Sequence, residues 1–105
     1  KLHRIKSDEV WHFYDGDPLV IVSISPAGQL IETTLGRDFA AGQVPQHVVP
    51  AGCWFGAIPA RRSAFTLAGC TVAPGFDFAD FELATRAALL QDYPQHVAWI
   101  TRLTD

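Results

Sequence analysis

Turn-forming residues break up the first three quarters of this chain at intervals close to those of a β-sandwich or barrel. Asp15-Gly16-Asp17-Pro18, Ser25-Pro26-Ala27-Gly28, Gly36-Arg37-Asp38, Pro50-Ala51-Gly52 and Pro59-Ala60-Arg61-Arg62-Ser63 each supply a residue that tolerates positive φ or pre-sets a turn. Between them lie short runs of β-branched and aromatic residues, which predict strands over 9–14, 19–25, 29–35, 46–49, 53–58 and 64–73. The connections are short enough for antiparallel neighbours, so an all-β fold is expected.

After Pro74-Gly75 the pattern changes. Ala79 to Asp92 reads as an amphipathic helix with Phe81, Ala84, Ala88 and Leu89 on one stripe, opened by Asp77 or Asp80 and stopped by Pro94. Val97, Trp99, Ile100 and Leu103 then suggest a last short helix or strand against the barrel.

With 105 residues, 49% of them hydrophobic and 18% charged, the chain has room for one domain over 1–105 and one core. The net charge is −3, and Arg61-Arg62 is the one basic pair, so no stripe could neutralise a row of phosphates and nucleic acid is not an expected partner. No apolar run approaches the roughly 18 to 20 residues that cross a bilayer, and Lys1-Leu2-His3-Arg4 is not the start of a signal peptide. A soluble, cytoplasmic protein is expected, with Cys53 and Cys70 as two reduced thiols. The first residue is not Met and the first strand-like segment begins at once, so the intact protein is expected to start some tens of residues earlier, with an N-terminal helix and first strands.

His3, Glu9 and Gly16 read H-x5-E-x6-G, and Pro50-Ala51-Gly52 follows as P-x-G. Around them stand His3-Arg4-Ile5-Lys6-Ser7-Asp8-Glu9-Val10-Trp11-His12-Phe13-Tyr14, then Val48-Val49-Pro50-Ala51-Gly52-Cys53-Trp54, then Gly69-Cys70-Thr71-Val72-Ala73-Pro74-Gly75-Phe76 running into Asp80-Phe81-Glu82. Together these resemble a branch of single-domain cupins, over nearly the whole chain. The resemblance implies a jelly-roll barrel similar to that of the RmlC-type sugar epimerases, with a short C-terminal helical segment, usually assembled as a homodimer.

Most enzymatic cupins hold a divalent ion with three histidines and a glutamate. Here Ile5 stands where the second histidine belongs and Phe55 where the third belongs, so two of four ligands are missing and neither a metal nor another cofactor is expected. Strand alternation puts Trp11 and Phe13 on the same face as Glu9, with Val10, His12 and Tyr14 on the other. A carboxyl group among aromatics is desolvated, which raises its pKa and suits it to acid–base work.

The candidate catalytic pair is therefore His3 and Glu9, with Trp11, Phe13, Gln46, Val48 and Phe55 as candidate ligand contacts. The competing reading is a satisfied buried pair in an ordinary aromatic core. His12, His47 and His96 read as surface or interface residues. No G-x-S-x-G elbow or phosphate loop occurs. Phe76-Asp77-Phe78-Ala79-Asp80-Phe81-Glu82 reads as a corner that staples the helix or meets a second subunit.

Three functions stay open at this point. One is a metal-independent binder or epimerase-like enzyme for a carbohydrate-like or carboxylate metabolite. Another is a non-catalytic dimeric or storage-type scaffold, and the third a metal-dependent dioxygenase.

Overall fold

The computed structural model describes residues 1–61 and 65–105. Its strands are β1 His3–Arg4, β2 Asp8–Gly16, β3 Leu19–Ile24, β4 Leu30–Leu35, β5 Gln46–Val49, β6 Trp54–Pro59, β7 Thr66–Ala73 and β8 Glu82–Leu83. They form one sheet of order β4-β3-β6-β1-β8 and another of order β5-β2-β7, with every pairing antiparallel. The six expected strands are all present within two residues of their expected ends. Arg62 and Ser63 of the last turn, and Ala64 at the start of its strand, lie outside the described residues.

Within the five-stranded sheet β3 is buried on both faces, which is why it reads as the unbroken run Leu-Val-Ile-Val-Ser-Ile. Between the two sheets lie Ile5, Leu19, Ile21, Leu35, Val49, Cys53 and Phe55. Behind the five-stranded sheet, Leu2, Val22 and Ile24 meet Leu89, Ile100 and Leu103. Fully burying a side chain such as Phe55 contributes about 1.5–3 kcal/mol, so each layer is a substantial core.

Gly16 closes the corner after β2 at φ 89°, where a Cβ would stand 2.5 Å from the Phe65 carbonyl oxygen. Glycine is required there on both counts.

The helix expected over Ala79 to Asp92 is shorter than its pattern suggests. Phe78–Asp80 forms a single 3-10 turn, capped by the Asp77 carboxylate accepting from the Ala79 N–H at 2.9 Å. Glu82–Leu83 then pairs with β1 as β8, and only Arg86–Asp92 is helical (α1). The unpaired edge of β1 takes a strand, and Phe81 enters the core between the sheets while Leu89 enters the core behind them. One continuous helix could not reach both layers. Val97–Arg102 forms a second helix, α2. The Arg86 guanidinium donates to the carbonyls of Thr101 at 2.8 Å and Thr104 at 2.6 Å, satisfying groups that the end of α2 leaves without intrahelical partners. No helix among the described residues is long and apolar enough to cross a membrane.

Candidate functional site

Register along β2 decides what faces the space between the sheets. Glu9 opposes Val49 on β5 and Val72 on β7, Trp11 opposes His47 and Cys70, and Phe13 opposes Ala68. Directly opposed residues of antiparallel strands share a face. Glu9, Trp11 and Phe13 therefore line the inside, as alternation predicts, and His47 and Cys70 join them there.

Gln46 and Val48 do not. They oppose His12 and Val10 and lie on the outer face, so their expected place beside a ligand is corrected. His47 is corrected in the opposite sense: it is half-buried, and its Nε2 lies 3.4 Å from Thr33 Oγ1 across the seam between β5 and β4. The strand Gln-His-Val-Val carries apolar residues on both faces, so its alternation is ambiguous, and a slip of one residue exchanges the two sides. His12 is on the outer face as expected. Its Nδ1 accepts from Gln46 Nε2 at 3.2 Å, which leaves Nε2–H to donate to Thr71 Oγ1 at 3.0 Å. His96 is half-buried rather than a free surface group, with Nε2 2.7 Å from the Gly28 carbonyl oxygen.

His3 enters from the opposite sheet. Its ring centroid lies 4.2 Å from that of Phe55 and 5.3 Å from that of Phe81, and its Nδ1–H donates to the Lys1 carbonyl at 2.9 Å. No ion pair or hydrogen bond joins it to Glu9 among the described residues. The two expected catalytic groups thus sit on facing sheets, with His3 held in an aromatic sandwich.

Burial pushes the Glu9 carboxyl above its ordinary range, and the Trp11 indole beside it tempers the rise. Burial lowers both His3 and His47, favouring their neutral forms. Cys70 is exposed rather than buried, yet partial desolvation and the nearby Glu9 charge push its thiol up to about 11, which makes it a poor nucleophile. Cys53 and Cys70 are both free thiols. Among the described residues Trp11 Nε1 is buried with no acceptor in well-formed hydrogen-bond geometry, although it leans toward the Glu9 carboxylate. That orphan donor is invisible in the sequence, because it depends on what three strands place around one ring. An open cleft of about 430 Å³ lies elsewhere, at the end of the barrel, against Arg4, Lys6, Ala51 and Asp80.

Two antiparallel sheets closed over an inward-facing acid, with imidazoles on both sheets, define a jelly-roll barrel of the cupin class. The chain belongs to the family described as Cupin superfamily (DUF985), whose model matches residues 1–84. It is also similar to a protein from Shewanella oneidensis solved by X-ray crystallography, with 48% identity and a TM-score of 0.94, covering 99% of this chain. A hypothetical protein from Leishmania major is 34% identical with a TM-score of 0.89, covering 98% of this chain. The chain spans 65% of the Shewanella protein's length and 67% of the Leishmania protein's. No curated protein matches it.

The wider cupin fold implies a divalent metal held by three histidines and a glutamate, and the residues here do not fit one. Ile5 and Phe55, which occupy two of those ligand positions, are 4% and 1% exposed within the core. Among the described residues no three His, Cys, Asp or Glu side chains converge as an ion would require.

Proposed function

We propose that the chain binds a hydroxylated, carbohydrate-like metabolite on the inner face of the three-stranded sheet and moves a proton on it, as an epimerase or isomerase does. The observation that carries this reading is the buried Trp11 indole N–H, which faces the desolvated Glu9 carboxyl but makes no well-formed hydrogen bond among the described residues. Buried donors in native folds have partners as a rule, and one left open in a polar niche asks for an acceptor from outside. A hydroxyl group accepts from the indole and donates to the carboxylate at once. A ligand carboxylate would instead set a second anion against Glu9, so the hydroxylated class fits better.

Glu9 and His47 supply the acid–base capacity, because burial raises the carboxyl toward neutral pH and keeps the imidazole in the neutral form that accepts a proton. His3 offers the Nε2 lone pair from the facing sheet, since its Nδ1–H is engaged. Trp11, Phe13 and Phe55 shape the niche. The two free thiols suit the reducing cytoplasm, and the exposed apolar residues Tyr14 and Val48 on the outer face of the three-stranded sheet support assembly as a homodimer.

The test is a thermal-shift panel of monosaccharides and sugar alcohols against wild type, Glu9→Gln and Trp11→Phe. At least one compound should raise the wild-type Tm and leave both variants unmoved. A panel that moves nothing, or moves Trp11→Phe as far as wild type, rejects the reading.

A second reading is a barrel filled by its own side chains and used as a scaffold. The position of the 430 Å³ cleft outside the inter-sheet space favours it, and the same failed panel would support it.

A further inference from the structure

The cleft at the end of the barrel, where β1 runs on toward β2, has a volume of about 430 Å³. Metabolite sites occupy roughly 300–1,000 Å³, so the space is adequate for a small molecule. Its charges come in two pairs. Arg4 Nη2 and Glu82 Oε2 stand 2.8 Å apart, and the Arg4 guanidinium is held 4.3 Å over the Trp54 ring, which fixes this pair in place. Lys6 Nζ and Asp80 Oδ1 stand 3.8 Å apart, on side chains 75% and 42% exposed. That gap is wider than the roughly 2.7–2.9 Å of a charge-assisted hydrogen bond, so the second pair is loose. Ile5, Pro26 and Ala51 add apolar wall.

We propose that this cleft binds a zwitterion, an α-amino acid with an apolar side chain, inserted between Lys6 and Asp80. Two cations and two anions give the lining no net charge. An ion of one sign would pair with one of these groups and strip its opposite of a partner, and an uncharged apolar molecule would cover charges without pairing them. A zwitterion only exchanges partners: its carboxylate takes Lys6 and its ammonium takes Asp80. Because the exposed Lys6–Asp80 pair contributes little by itself, opening it costs little. The Arg4–Glu82 pair stays intact, and the ligand's side chain lies against Ile5 and Ala51.

The experiment is a titration of the isotope-labelled chain with L-leucine, followed by amide chemical shifts. Saturable shifts should centre on Lys6, Ala51 and Asp80. N-acetyl-leucine, which lacks the ammonium, and leucinamide, which lacks the carboxylate, should each bind about tenfold more weakly or less. Lys6→Ala and Asp80→Ala should weaken leucine to a similar degree with the rest of the spectrum unchanged, and the exchanged pair Lys6→Asp with Asp80→Lys should restore it. Glu9→Gln should leave leucine binding as it is, which separates this site from the inner face. Shifts that never saturate or map elsewhere, or N-acetyl-leucine binding as well as leucine, overturn the proposal.

Discussion

Glu9 ties stability to pH in a way that a surface carboxylate would not. Burial raises its folded-state pKa above the ordinary 4.5, so the folded protein holds the proton more tightly than the unfolded chain. The contribution is fully present below about 4.5 and is lost as pH rises through that value toward the folded pKa. Gln has nearly the same shape and no proton to lose. Glu9→Gln should therefore unfold at the wild-type temperature in acid and at a higher temperature near neutrality, read from Tm between about pH 3.5 and 8. A variant that loses stability at neutral pH would mean that the charge is well solvated and that burial is not what shifts it. Such a gain is expected where a residue is kept for chemistry rather than packing. The place of Glu9 is legible because it shares a two-residue period with the large aromatics Trp11 and Phe13, which face in, while Tyr14 on the other face is 61% exposed. His47 is not legible, because Val48 and Val49 put apolar groups on both sides of a four-residue strand, and register alone separates them.

Elements long enough to show an apolar run or a period between two turns are readable, and those without are not. β3 and β6 announce themselves, whereas β1 and β8 have two residues each, too few for any period. The stretch from Phe81 to Leu89 has helical spacing throughout, yet tertiary demand splits it between two cores. The helices earn their stability from the side they turn to the sheet. Ile100 on α2 is fully buried and Val97 is 53% exposed. Ile100→Ala should cost about 2–5 kcal/mol in denaturant unfolding. Val97→Ala should stay within about 0.5 kcal/mol. Equal costs would show that α2 is not docked by the Ile100 side.

Across the whole molecule the two sheets are treated unequally. The five-stranded sheet has its outer face covered by α1 and α2, around Leu89 and Ile100. The three-stranded sheet turns its outer face to solvent, with Tyr14, Leu67 and Val48 61%, 56% and 47% exposed. The His12 bonds to Gln46 and Thr71 tie its three strands together laterally, which gives a firm and largely apolar platform. The architecture was legible from turn spacing and the cupin-like motifs, but this asymmetry was not, since it requires knowing which sheet the C-terminal helices choose. A second copy of the chain laid on the platform would cover these groups through a self-complementary interface, the commonest way a soluble protein forms a dimer. Sedimentation at micromolar concentration should then show a dimer for wild type and a monomer for the double variant Tyr14→Glu with Val48→Glu. The variant should keep the wild-type shift with any compound that the inner face binds, because both substitutions lie behind the sheet. A wild-type monomer at that concentration, or a double variant that still dimerises, would place the contact elsewhere and leave this face to water.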